Sequence, residues 1–150
     1  MEEKNNIYTE FIKNLHLKRF YTLKLSSKRE EDFHLPAKIS IQRIAKFKNT
    51  DKDTIKVYNT YTLNAVQEGK KEPGLLVSVT YYLIFNSKIE MTEEFFERFS
   101  ASSLVIETWP YFRNLVHETT MQMGLPSLVL DIFVPKKIKF RETPVKHEQV

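Results

Sequence analysis

Cysteine is absent from the 150 residues, which excludes disulfides, thiol nucleophiles and cysteine-ligated metals. Glycine is nearly as scarce: three residues cannot build a glycine-rich phosphate loop, and no serine sits in a nucleophile-elbow motif. No apolar run approaches the roughly 18 residues that a membrane span needs. The opening Met1-Glu2-Glu3-Lys4-Asn5-Asn6 lacks the basic start and apolar core of a signal peptide, so a cytoplasmic protein is expected. His16, His34, His117 and His147 fall on a strand, a loop, a helix and a tail. His117-Glu118 lacks the His-Glu-x-x-His pattern of a metal site, so His117 is expected on an exposed helix face. Glu93, Glu94 and Glu97 form a solvated helix face. No catalytic residue, metal ligand or cofactor is expected, and no enzyme.

What the chain does have is apolar bulk. A hydrophobic fraction of 41% with 13% aromatic supports a packed core, and the length fits one domain. The net charge of +4 comes from 23 basic and 19 acidic residues, interspersed along the chain. A basic surface can attract phosphate or anionic lipid, but no recognition motif for nucleic acid accompanies the charge.

Hydrophobic periodicity orders the chain. Ile7, Phe11 and Leu15 recur at helical spacing and predict a short amphipathic helix over 3–14. The period then falls to two. Leu15, Leu17, Tyr21, Leu23 and Leu25 alternate with polar residues and predict a first strand, followed by a charged loop over 26–32. Ala37 to Phe47 and Ile55 to Leu63 predict a second and a third strand. Leu75 to Phe85, apolar on both faces, predicts a central or doubly covered fourth. Short turns between them predict an antiparallel meander or something close to it. Thr92 is placed to cap a helical turn through Glu93 to Phe99.

A long helix is predicted over 102–123, ended by Gly124 and Pro126. Its apolar residues, among them Leu104, Trp109, Tyr111, Phe112, Leu115 and Val116, cover an arc of roughly 160°, against the ~100° needed to cover one sheet. The excess points to a second copy of the chain, with Leu104, Thr108, Tyr111 and Leu115 as interface residues. Alternatively, the N-terminal helix or the C-terminal tail covers it. Pro110 either bends this helix or starts it. Arg113, at the boundary of the arc, is expected in an ion pair. Domain organisation is expected as one α+β domain over 1–135, with a basic, flexible tail over 136–150.

Two motifs carry a resemblance. Trp109-Pro110-Tyr111-Phe112-Arg113 lies early in the long helix, and Leu125-Pro126-Ser127-Leu128-Val129-Leu130 follows it. Together with four preceding strands and an aromatic crossover, they resemble the SecB family of export chaperones over roughly residues 11–133. The resemblance implies an α+β fold, a four-stranded antiparallel sheet with the long helix on one face. It implies dimers that pair through their helices into a homotetramer. It also implies a holdase that binds unfolded or precursor polypeptides without ATP. Carried over by position, the polypeptide groove would hold Phe85, Phe95, Phe96, Phe99, Leu128, Leu130, Ile132 and Phe133. The bland alternative is that the phenylalanines of the crossover close the core. Export members meet the SecA motor through an acidic patch, so the basic charge here argues against that docking. A dedicated adaptor for one partner, such as an antitoxin, is the alternative. A basic nucleic-acid-binding module is a third reading, which the missing motif weighs against.

Overall fold

Alternating apolar and polar side chains become four long strands: β1 His16–Arg29, β2 Lys38–Thr50, β3 Thr54–Val66 and β4 Leu75–Asn86. The computed structural model describes residues 1–50, 53–132 and 139–140. Helix α1 is Glu2–Asn14, α2 is Glu93–Phe99 and α3 is Val105–Gln122; β5 is the two-residue Lys139–Phe140. None of these helices is long and apolar enough to cross a membrane. The fold is α+β, with the helical layer on one face of the sheet.

The sheet runs β1-β4-β3-β2-β5. Strands β2, β3 and β4 form the expected meander. β1 instead lies beside β4 at the far edge, antiparallel to it, which makes the four long strands a Greek key. The connection from β1 to β2 must therefore cross one end of the sheet. Phe33 anchors that crossing, almost wholly buried against Gly74 at the start of β4. A Cβ on Gly74 would collide with the Phe33 ring and lie 3.2 Å from its Cβ, so glycine is required there by close approach. The Arg29 guanidinium donates to the carbonyls of Phe33, at 2.8 Å, and of Met123. It ties the crossing to the end of α3. Strand β1 thus continues to Arg29, through residues expected as loop. Residues 139–140 pair in parallel with Gln42 and Arg43 of β2, so part of the expected tail joins the sheet. The other residues of the 136–150 segment lie outside the described residues.

Thr92 does cap α2, its Oγ1 accepting from Phe95 N at 3.1 Å. The long helix begins earlier than expected, because a π-helical turn, Ser100–Leu104, joins α2 to α3 without a break. Pro110 lies inside α3, so the helix does not start there. It sits exposed on the solvent side.

Burial alternates strictly along β3, and its buried face meets α3. Tyr61 stacks on Phe112 at 4.7 Å and meets the edge of Trp109 at 5.7 Å. A polar cluster interrupts this apolar layer. Arg43 Nε donates to Asn59 Oδ1, while Thr108 Oγ1 receives Asn59 Nδ2 at 3.4 Å and bonds the Tyr61 hydroxyl at 2.8 Å. Thr108 itself donates to Leu104 O at 2.7 Å. Burial pushes the Tyr61 phenol up and the Arg43 guanidinium down from their ordinary pKa values, since low dielectric disfavours either charged form.

Candidate functional site

Helical spacing decides the fate of the aromatic crossover. Phe96 and Phe99, three residues apart, share the face of α2 that points at the sheet. Phe96 packs on Phe47 at 4.7 Å and Phe99 meets Phe85 edge-on at 5.5 Å. Of the eight expected groove residues, Phe85, Phe96 and Phe99 are buried in the protomer core and do not reach the protomer surface. Phe95 and Arg98 share the opposite face, and α1 lies on it. Phe11, fully buried, stacks on Phe95 at 4.8 Å. The Arg98 guanidinium sits 4.0 Å over the Tyr8 ring and donates to Asn5 Oδ1 at 3.4 Å. The chain's own N-terminal helix therefore fills the space beside Phe95.

The long helix has two unlike flanks. On one, residues 124–132 run back along α3 as an extended strap. Gly124 turns the chain at φ +72. Leu128 N then bonds Thr120 Oγ1 at 2.9 Å, and the Trp109 indole donates to Asp131 O at 3.0 Å. A buried indole needs an acceptor, and the strap supplies it. Leu128 and Leu130 are half-buried against the core, while Val129 and Ile132 are each 70% exposed. Phe133 lies outside the described residues. The strap covers part of the wide apolar arc, so that arc is not wholly left for another copy.

The other flank is open. Tyr111, 56% exposed, and half-buried Leu115 line a cleft of about 340 Å³ with Phe20, Leu25, Val79 and Tyr81. Phe20 bridges the two walls, 4.7 Å from Tyr111 and 5.6 Å from Tyr81. Burial holds the Tyr81 hydroxyl far above the usual phenol range, so it stays a neutral donor. Beyond the cleft is β1, an edge strand among the described residues, whose Leu17, Leu23 and Leu25 are exposed. Lys18 and Leu23 are extra residues at two bulges, which twist an edge away from uncontrolled pairing. The two other expected interface residues, Leu104 and Thr108, are fully buried. They face the sheet one turn apart and cannot meet a second chain. His117 is half-buried and its Nδ1 is enclosed without a hydrogen bond, a correction to its expected exposure. Arg113 is half-buried and forms no ion pair among the described residues.

No family model matches the chain, and a search of the curated proteins finds no match. Solved structures do match. The chain is similar to a SecB-like chaperone from Mycobacterium tuberculosis, solved in complex with a ChAD peptide from the HigA1 antitoxin. The TM-score is 0.69 at 14% identity, over 87% of this chain and 98% of that one. A protein of unknown function from Streptococcus agalactiae also matches, with a TM-score of 0.46 at 8% identity, over 79% of this chain and 97% of that one. The fold is SecB-like, as the two motifs in and after the long helix implied.

Proposed function

We propose that this SecB-like protein is an ATP-independent chaperone that holds apolar segments of unfolded polypeptides and works as an assembly of several copies. The observation that carries this reading is the apolar surface that one protomer leaves open on both flanks of α3. Leu17, Leu23, Leu25 and Tyr111 stand exposed on one flank, Val129 and Ile132 on the other. Contiguous apolar surface of this kind marks a place where another chain binds.

The two flanks suit different occupants. The β1 edge offers unpaired backbone groups beside an apolar cleft, which fits two-fold antiparallel pairing with a second copy. Further pairing of helix flanks through Tyr111 and Leu115 would make a dimer of dimers. The strap presents side chains from a segment with few backbone hydrogen bonds, next to Leu128 and Leu130, and suits a client of any sequence. Phe95 joins that surface only when α1 is displaced. The client pathway includes protein export in the cytoplasm as one option. The second reading, one dedicated partner such as an antitoxin, draws its support from the antitoxin peptide bound by the mycobacterial chaperone.

The test measures light scattering of a chemically unfolded client with purified protein and no nucleotide. Suppression by the wild type, weakened by Val129→Asp with Ile132→Asp, is expected. Unchanged scattering at equimolar assembly sinks the reading. Light-scattering mass for Leu25→Asp should fall to a single protomer. Co-purification of one polypeptide in place of many would favour the dedicated adaptor.

A further inference from the structure

The sheet has a second face, which no helix covers among the described residues. Cross-strand register builds two adjacent rows on it. Lys46, Tyr58, Tyr82 and Tyr21 form one row across β2, β3, β4 and β1, and Lys56, Ile84 and Arg19 lie in the next. The Tyr82 ring is held between Tyr58 at 4.9 Å and Tyr21 at 5.2 Å. Lys46 Nζ lies 5.2 Å over the Tyr58 ring, and the Arg19 guanidinium 5.8 Å over that of Tyr21.

The charge on this face is all of one sign. Not one aspartate or glutamate occurs in β1, β2, β3 or β4; every carboxylate in the chain lies outside them. A surface built only for solubility mixes both signs. Neighbouring cations on a sheet without interleaved acids repel one another, so stability does not account for the pattern. An anionic occupant does.

We propose that this face binds an acidic, extended polypeptide segment. Strands lie about 4.8 Å apart, so Lys56 and Arg19, two strands apart in one row, have backbones about 10 Å from each other. Their long side chains reach carboxylates spaced about 7 Å apart on one side of an extended peptide. Lys46, Lys56 and Arg19 supply the charge, and the tyrosines a rigid floor between them. Nucleic acid is the poorer fit. Base stacking needs open ring faces, yet the two outer rings each carry a cation and Tyr82 is almost wholly buried. The site is on the opposite side of the sheet from the apolar flanks, so it stands whether or not those hold clients.

Fluorescence anisotropy on the full chain tests the proposal, with a labelled peptide of alternating glutamate and serine and with oligothymidylate of equal length. The peptide should bind at low salt and weaken steeply as salt rises. R19E/K46E/K56E should lower its affinity at least about tenfold. The neutral R19Q/K46Q/K56Q repeats the test in case charge reversal disturbs the sheet. The same charge change placed elsewhere, K4E/K13E/K88E, should leave most of the binding. No binding at low salt, equal loss in the K4E/K13E/K88E control, or tighter binding of oligothymidylate would each overturn the proposal.

Discussion

Replacing Phe11 by alanine should undock α1 while leaving the sheet intact. Phe11 is fully buried, although it belongs to a peripheral helix. Burying a phenylalanine is worth about 2–3 kcal/mol, and its stacked contact with Phe95 adds about 1 kcal/mol. Losing about 3 kcal/mol shifts the docking equilibrium by roughly a hundredfold. The remaining anchors include the half-buried Ile12 and Tyr8, the latter under Arg98, and the Arg98–Asn5 hydrogen bond. A helix of 13 residues is marginal in water once it leaves its partner, so α1 should unravel as it leaves. Hydrogen exchange read by mass spectrometry would show residues 2–14 exchanging about two orders of magnitude faster, with β3 and β4 unchanged. Client binding should rise if the bared Phe95 joins the client surface. Unchanged protection of α1 would refute the reasoning. So would a global loss, in which β3 and β4 exchange faster together with α1.

Gly74→Ala should lower stability by about 1–3 kcal/mol through overpacking against Phe33, measured by urea denaturation; Phe33→Leu in the same chain should restore part of it. Thr108→Val should cost about 1–3 kcal/mol, because the Tyr61 hydroxyl and Asn59 amide lose a buried partner. Calorimetry would record this without a change in assembly, since Thr108 is not at the surface. Alkaline titration gives a signed expectation. Burial raises the folded pKa of Tyr61 and Tyr81, so the unfolded chain releases protons first. Stability is then intact below the unfolded phenol value of about 10 and falls as pH climbs above it. Tyrosinate absorbance should appear together with loss of near-ultraviolet circular dichroism; ionisation of these two residues in a still-folded protein would contradict the burial assignment.

Much of the architecture was legible in the sequence because period-two patterning reports which side chains share a face. Strands β2, β3 and β4 followed from that pattern, while the Thr92 cap and the stop at Gly124 followed from residue type. Which strand pairs with which is a different question. Nothing local in Leu17 to Leu25 says that β1 skips two neighbours and joins β4. The division of the phenylalanines was equally hidden. Phe95, Phe96 and Phe99 have the same chemistry, and only the orientation of α2 sends two of them inward and leaves the third to Phe11. The apolar arc on α3 is wide, and part of its explanation lay in the strap. The buried indole of Trp109 was the available signal for that. The one-signed strands could have been seen by placing the carboxylates on the predicted elements, where each falls in a helix, a loop or the tail.

The Greek-key order also sets a sequence of events during synthesis. Strand β1 leaves the ribosome first, but its partner β4 is the last of the four long strands made: Arg29 pairs with Leu75 and His16 with Asn86. The hairpins from β2 to β4 close over short turns, whereas β1 must wait and then close a far longer loop. Until then Leu17, Leu23 and Leu25 are part of a nascent chain with an unsatisfied apolar strand. A protein with this topology itself passes through an unfolded, apolar condition, and under the function proposed above a neighbouring copy is the first chaperone within its reach.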